Sequence, residues 1–517
     1  HVQSLYSIQF MEWVWGYVFC SVTTVLFLIY HFRRRTLLIN DRRQMPPGPR
    51  GWPVFGSMFE LGNEPHKTLM NLKQKYGPVV WLKLGSINTM VILSAKAAGE
   101  FFRNHDMAFA ERSVTEVMKS HGYNKGSLAL APYGTYWRIM KRIMTVQMLV
   151  NKRITETVEV RRKCIDDLIE WIENRELNSS EAIHLAKFVF LASFNMLGKL
   201  LLSRELVDPK SEKGTEFFAA MVGLMECSGH QNIVDVFPWL RWLDPQGLRR
   251  KMDRGLGKTI EIVSGFLKER FEERERTGEK KKDFLEVLLE YEGKGKDEPE
   301  KISDQELILI ILEIFLAGSE TTSSSIEWAM TELLCNPEAM DKVKTELSKV
   351  LGDTKKFEEA DIDNLKYLQA VVKETLRLHP PIPFLVPRKA IQDTEFMGYH
   401  IPKGTQVFVN TWAIGRDPEC WKDPLDFKPE RFLDSNIEYK GQNFEFIPFG
   451  AGRRICAGIP LAHRMLHLVL GSLLREFDWE IDVSVLDEAL DTQDRMGVTV
   501  RKLKPLKAIP KRKNKTL

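Results

Sequence analysis

The strongest chemical signal in the chain is the run Phe449-Gly450-Ala451-Gly452-Arg453-Arg454-Ile455-Cys456-Ala457-Gly458. Glycines around a single cysteine let the backbone approach a flat, bulky group closely. An apolar helix is expected over residues 459–477, so Cys456 stands just before a helix N-terminus. The positive end of that dipole, with Arg454 nearby, lowers a thiol pKa and favours thiolate. A thiolate is either a nucleophile or a metal ligand. His463 and His467 follow at i and i+4, a spacing that could bind zinc together with a cysteine. The apolar stripe around them favours histidines that only pack. A second cluster, Ala317-Gly318-Ser319-Glu320-Thr321-Thr322, sets an acid beside two alcohols inside an apolar run. Thr321 can bond its i−4 carbonyl or a water, and an acid with an alcohol can relay protons. Glu313 lies seven residues before Glu320, on nearly the same helix face; pairing, pocket-facing and solvent-facing roles are all open to it. Glu374-x-x-Arg377 brings a carboxylate and a guanidinium together at i and i+3. In isolation such a match is an ordinary surface ion pair.

These groups need elements to hold them. Ser303-x-x-Glu306 is a capping box, and Asn336-Pro337 is the next interruption, with proline suited to the first position of a new helix. Between them the pattern predicts about 32 residues of unbroken helix, ~48 Å long. Apolar from Leu307 to Ala317, this helix must cross the middle of a large domain. It favours one large domain over the three that ~150 residues per domain would suggest for 517 residues. Tyr76 to Leu93 reads as a hairpin around Gly85, and Phe396 to Val409 as a strand pair around Pro402-Lys403-Gly404. At least ten helices are expected, so the fold class is mainly α with small β-sheets.

The N-terminal region differs. Trp13 to Phe32 contains no Asp, Glu, Lys or Arg, and as a helix it would span ~30 Å, the thickness of a bilayer core. Arg33, Arg34 and Arg35 follow, so the positive-inside rule keeps the body cytosolic. The charges lie after the apolar run and no small-residue cleavage site follows, which argues against a signal peptide. Residues 1–10 are an extension without an assigned role, 11–32 the anchor, and 33–49 a basic linker ending in the stiff Met45-Pro46-Pro47-Gly48-Pro49. Residues 50–510 form the body and 511–517 a basic tail, best read as a solvated end, with anionic lipid contact as the alternative. The charge balance of 74 basic against 70 acidic residues excludes a nucleic-acid binder. Six cysteines without a CxxC pair exclude a disulfide scaffold.

At every fixed position the cysteine loop is similar to the signature Phe-x-x-Gly-x-Arg-x-Cys-x-Gly of the cytochrome P450 family: Phe449, Gly452, Arg454, Cys456 and Gly458. The segment 317–322 resembles the family's oxygen-activation stretch, 135 residues before the cysteine when measured from Thr321. Glu374-x-x-Arg377 followed by Pro429-Glu430-Arg431-Phe432 resembles its remaining signatures in order. Trp137-Arg138-Ile139-Met140-Lys141 resembles its Trp-x-x-x-Arg, with lysine in place of arginine. The whole looks like a plant microsomal A-type P450, with wording closest to the geraniol and iridoid hydroxylase branch.

The resemblance implies a P450 fold with one N-terminal transmembrane helix. It implies that Cys456 is the axial thiolate of haem b, which pushes electron density through iron and favours O–O cleavage. Phe449 and Gly450 would line the cofactor. Trp137, Lys141, Arg388 and Arg454 would hold its propionates, with Arg138 or Arg142 as substitutes for Lys141. Glu320 and Thr321 would be catalytic. Glu374, Arg377 and Arg431 would form a buried network locking the cysteine loop. Ala317, Phe384, Val386, Met496 and Val498 would form an apolar substrate pocket under a lid at 113–129. O2 and NADPH-derived electrons would be used, the electrons passing through the FAD and FMN of a NADPH-cytochrome P450 reductase docked on Arg138, Lys141, Arg142, Lys152 and Arg153. The expected setting is the endoplasmic reticulum membrane, single-pass in lipid, with the catalytic body cytosolic. The sequons at Asn178 and Asn514 would then stay bare. A small terpenoid is the first choice of substrate and a phenylpropanoid or flavonoid the second. A dehydratase- or isomerase-type P450 and a haem sensor are the alternatives of other classes; the Glu320–Thr321 pair argues against the former.

Overall fold

The computed structural model describes residues 16–27, 45–178, 182–207, 215–293, 295, 298–352, 355–481 and 491–513. The apolar run that begins at Leu307 lies within a helix of 32 residues, Asp304–Cys335. Its start is the capping box expected: Ser303 Oγ accepts from Glu306 N, and the Glu306 carboxylate accepts from Ser303 N. Its end comes at Asn336, and Pro337 opens the next helix, Pro337–Leu351. This central helix packs against Leu185–Leu202 and Ile459–Glu476. The approach to the first is close: a β-carbon at Gly318 would stand 3.0 Å from the Leu197 side chain. Phe194 and Phe315 meet between the two helices at 4.7 Å. The main apolar core draws residues from Val117 to Ala508, so distant parts of the chain share one interior.

The largest sheet has five strands in the order Val79–Leu84, Ile87–Ile92, Gln406–Val409, Arg388–Lys389, Glu111–Arg112. The first two form the hairpin expected, with Leu84 opposite Ile87 and Gly85 at φ 56° in the turn. Gln406–Val409 runs parallel to Ile87–Ile92. At the far edge Arg112 stands directly opposite Arg388, so the register sets two buried guanidinium groups side by side. Smaller sheets pair Lys507–Arg512 with both Phe477–Ile481 and Ile183–His184, and Asp494–Met496 with Val500–Lys502.

One expected pairing is corrected. The strands flanking Pro402-Lys403-Gly404 do not pair with each other. Tyr399–Ile401 pairs with Thr394–Phe396, while Gln406–Val409 joins the large sheet. The hairpin turn is Met397-Gly398, whose φ values of 51° and 80° suit the type I′ geometry that tight hairpins prefer.

Of the proposed anchor, residues 16–27 form an exposed apolar helix. The rest of the anchor, residues 1–10 and most of the basic linker lie outside the described residues, as do most of the two sequons and the last four residues of the tail. Among the described residues, the helices long and apolar enough to cross a membrane are Leu185–Leu202 and Asp304–Cys335, but both are mostly buried within the protein, which marks them as core helices.

Candidate functional site

The cysteine loop turns tightly. Cys456 N donates to Phe449 O at 3.0 Å, and Gly458 N donates to Cys456 Sγ at 3.3 Å. Gly450 and Gly452 sit at φ 73° and 68°, and a β-carbon on Gly452 would collide with the Asp106 carboxylate at 2.6 Å. Asp106 uses that space to accept from Arg453 N at 3.0 Å, which pins the loop from outside. Cys456 Sγ is reachable by solvent, yet protein encloses it at the distances that govern electrostatics. A group that is both accessible and enclosed lines an internal cavity. Ala317 shows the same pattern: it is exposed in the middle of a mostly buried helix. The helix that carries Glu313 and Ala317 packs against Ile459–Glu476, the helix that follows the loop directly.

The sequence predicts a lowered thiol pKa at Cys456; the structure reverses the direction. Burial pushes the thiol up, against the Gly458 and Ile459 N–H groups and the Lys141 ammonium. A bound metal ion would supply the missing positive charge and deprotonate the thiol outright.

Cations gather at one edge of the site. Arg454, buried, donates to Ala110 O (3.1 Å), Leu128 O (3.3 Å) and Ala131 O (2.7 Å), and its guanidinium lies 4.3 Å from the Trp137 ring. Trp137 Nε1 donates to the same Leu128 carbonyl at 2.9 Å. Arg388 pairs with Asp106 at 3.1 Å. Arg112, which the sequence reading passed over, donates to Ala129 O and Val386 O. Burial, then Arg388 and Arg454, hold its pKa well below the usual arginine range; burial likewise lowers Arg454, to about 10. Lys141 donates to Ile455 O, inside the cysteine loop, and burial lowers it too. Arg138 and Arg142 point outward, Arg142 to Glu298 at 3.1 Å. Of the three candidates, the inward-facing one is therefore Lys141. Trp137 and Lys141 share one face of Thr135–Arg142, a spacing already visible in the sequence. Arg112, Arg454 and Lys141 bond to carbonyl oxygens that cannot cancel their charge. Such a concentration of cations suits a dianionic group. A thiol, a small residue on a facing helix and this cationic edge together fit a haem with two propionates.

The acid–alcohol segment divides its work. Thr321 Oγ donates to Ala317 O at 2.6 Å, the i−4 bond expected. Glu320 is buried and its Oε1 accepts from Thr499 Oγ at 2.8 Å and pairs with Arg501 at 2.9 Å. Glu313, whose role was open, is fully engaged: it accepts from Ser127 Oγ (2.8 Å), Leu128 N (2.5 Å) and Ala129 N (2.6 Å). The segment 113–129 is thereby fastened at its end. It is also tied at Glu116 N to Asp235 (2.6 Å) and at Ser120 to Asp253 (2.5 Å). Phe384 and Met496 meet in one small apolar cluster; Val386 is half-buried and Val498 exposed.

Glu374 is completely buried and bonds Arg377 twice, at 2.7 Å each, and Arg431 once, at 3.0 Å. The hydrogen bonds and ion pairs of the trio do not reach the cysteine loop. A train of aromatic rings links them instead: Trp421, Phe432, Phe446, Tyr439 and Phe449, with successive centroids 5.2–6.1 Å apart. The two histidines do not join Cys456. His463 Nδ1 meets Tyr439 OH, and His467 Nδ1 meets His463 O at 2.6 Å; burial lowers their pKa values to about 4 and about 3. Among the described residues no group of three His, Cys, Asp or Glu side chains is arranged to hold a metal ion. The basic face is thinner than expected, since Lys141 turns inward while Arg142 and Arg153 carry acidic partners. Arg138 and Lys152 remain exposed.

A family model for cytochrome P450 matches residues 46–507. Iridoid oxidase from Catharanthus roseus is 51% identical over 95% of this chain and 96% of that protein. Geraniol 8-hydroxylase from the same plant is 41% identical over 95% and 98%. Among solved structures, a zebra fish cytochrome P450 determined with progesterone superposes with a TM-score of 0.74 at 26% identity, covering 86% of this chain and 99% of the other.

Proposed function

Because this chain belongs to the cytochrome P450 family and is a monooxygenase of it, we propose that it hydroxylates a small lipophilic plant metabolite, a mono- or other terpenoid before any phenolic. The observation that carries this is the match, nearly end to end, to proteins named for iridoid oxidation and geraniol hydroxylation. The apolar character of Ala317, Phe384, Val386, Met496 and Val498 agrees with it.

The haem, bound through Cys456, supplies the redox chemistry that divides dioxygen between a substrate C–H bond and water. The chain's own groups do the rest. Arg112, Lys141, Arg388 and Arg454 hold the propionate edge, with Trp137 stacked on Arg454. Phe449 and Gly450 shape the cysteine side. Thr321 hands on protons from a hydroxyl resting on Ala317 O, and Glu320 supports it. Electrons come from NADPH through a flavin reductase whose acidic face meets Arg138 and Lys152. Residues 11–32 anchor the chain in the endoplasmic reticulum membrane, residues 33–49 act as linker, residues 50–510 form the cytosolic catalytic body and residues 511–517 the tail. Two features support membrane placement. In the exposed helix Gly16–Phe27, the hydroxyls of Ser21, Thr23 and Thr24 bond back to carbonyls four residues earlier, as lipid requires. On the body, Trp52, Val54, Phe55 and Phe59 are exposed, with Trp239 and Trp242, and Phe55 and Trp239 both pack on Phe237.

The test is a membrane preparation of the full chain with a reductase. The wild type is expected to give a reduced-CO band near ~450 nm and to hydroxylate geraniol in an NADPH-dependent way; Cys456→Ser is expected to lose the band. A folded wild type without the band overturns thiolate ligation, and turnover confined to phenolic probes overturns the terpenoid choice. Thr321→Ala is expected to lower product per NADPH on the order of tenfold or more; unimpaired coupling would remove Thr321 from proton transfer.

A further inference from the structure

The central helix carries a polar seam that proton delivery alone does not explain. Glu320, Ser324 and Glu327 fall at i, i+4 and i+7, on one face of a buried helix. Each grips the same stretch of chain. Thr499 Oγ and Arg501 both bind Glu320 Oε1, at 2.8 and 2.9 Å. Ser324 Oγ donates to Val500 O at 2.9 Å, and Leu506 N donates to Glu327 Oε1 at 2.8 Å. That stretch, residues 499–506, contains the return strand of the hairpin Asp494–Met496/Val500–Lys502 and the chain just beyond it. The hairpin's base is held separately, through Asp494 to His66 at 3.1 Å and to Lys67 at 3.3 Å.

The tip has little freedom once Glu320 is engaged. Val500 N donates to Pro381 O at 2.8 Å. On the opposite side a β-carbon at Gly229 would come 2.9 Å from Val498 N, so the tip rests against the end of the helix Thr215–Gly229. Met496 packs against the apolar cluster that contains Phe384, while Val498 stays exposed. The carboxylate one residue before Thr321 thus fixes how far the Met496–Val498 turn projects.

We propose that Thr499 and Arg501 are positioning residues for substrate selection. They bind Glu320 and so couple the reach of the Met496–Val498 turn to the helix segment that carries Ala317 and Thr321. This rests on the reading of that turn as a wall of the substrate pocket. Glu320 is then shared between the seam and proton delivery, and a pair that holds it for the first purpose sets which C–H bond is presented.

The experiment uses the full-length ferric holoenzyme of the wild type, Arg501→Met, Arg501→Lys, Thr499→Val, Glu320→Gln and the Arg501→Met/Glu320→Gln double variant. Hydrogen exchange of residues 494–502 is read first, because it needs no substrate. Geraniol is the probe for spectral affinity and product ratio. Arg501→Met and Thr499→Val are expected to speed exchange at the tip, weaken geraniol binding roughly fivefold to tenfold and broaden the product ratio. Their kcat changes far less than KM. Arg501→Lys restores most of the protection, and the double variant is no worse than Glu320→Gln alone. Exchange and product ratio unchanged in Arg501→Met would overturn the proposal. So would a fall in kcat at unchanged affinity and product ratio, which would make Arg501 a regulator of proton delivery instead. Absence of the ~450 nm band in the wild type would sink the monooxygenase reading by itself, while the exchange data would still decide the coupling of tip to helix.

Discussion

Replacing Arg377 with methionine is expected to destabilise the protein by about 3–5 kcal/mol and to strip it of haem. The reason lies in what is left behind. The Glu374 carboxylate has no exposed surface, and four hydrogen bonds converge on it: two from Arg377, one from Arg431 and one from Lys428 N at 2.8 Å. Methionine matches the length of the arginine stem but supplies no donor, so a buried charge loses its bidentate partner. The carbonyls of Gly415, Pro424 and Asp426, which Arg377 gathers at 2.5–3.1 Å, are also released. These belong to the irregular stretch on either side of Trp421, over which both guanidinium groups sit. Trp421 is the first ring of the train ending at Phe449, whose carbonyl holds Cys456 N. Destabilisation therefore reaches the cysteine loop through packing. Arg431→Met is expected to cost less, since Arg431 gives Glu374 one bond and is partly exposed. Chemical denaturation and haem content of the purified variants check the order. Equal haem retention in Arg377→Met and wild type would show that the network does not support the loop.

The comparison of these two arginines shows what a sequence can reveal. Glu374 and Arg377 are three apart on a helix, so their meeting follows from local geometry. So do the capping box at Ser303 and the bounds of the central helix. The Cys456 loop was legible because its glycines and cysteine are contiguous. Partners supplied by distant chain were not. Glu313 meets residues 184–186 positions away, and Glu320 meets Thr499 at 179. A trace of both was nevertheless present. Glu313, Glu320 and Glu327 recur every seven residues in a helix otherwise apolar enough to be core, and a charge on a buried face must find a partner. Arg112 left no such trace. Its role comes from a cross-strand register with Arg388 that only the folded sheet creates. The mistaken strand pair around Pro402-Lys403-Gly404 had the opposite origin: the turn signal was sound, but its two strands serve different sheets.

Glu313→Ala is expected to be the second costly change, through the segment 127–131. That segment stands between an acid and a group of cations. Its amide N–H groups at Leu128 and Ala129 point to Glu313, and its carbonyls at Leu128, Ala129 and Ala131 receive Trp137, Arg112 and Arg454. Alanine leaves two backbone N–H groups without their acceptor and frees the Ser127 hydroxyl, a loss of about 2–4 kcal/mol. Glutamine keeps one acceptor oxygen but turns an N–H₂ toward a backbone N–H, so it should fall between alanine and wild type. Ser127→Ala removes one donor and should be mildest. The cationic edge then loses its carbonyl anchors, and haem should pass to an excess of apomyoglobin faster in the same order. Acidity supplies an independent check. Burial holds the Glu313 pKa above the ordinary carboxylate range, despite its three hydrogen bonds and Arg112. The folded state thus binds this proton more tightly than the unfolded chain. Its contribution is complete below the ordinary carboxylate range and declines as pH rises through the elevated value. Unfolding free energy of the wild type should fall across that window relative to Glu313→Gln, which has no proton to lose there. Parallel pH profiles for the two proteins, with equal haem transfer rates, would show that the segment is held by packing and that Glu313 is incidental to it.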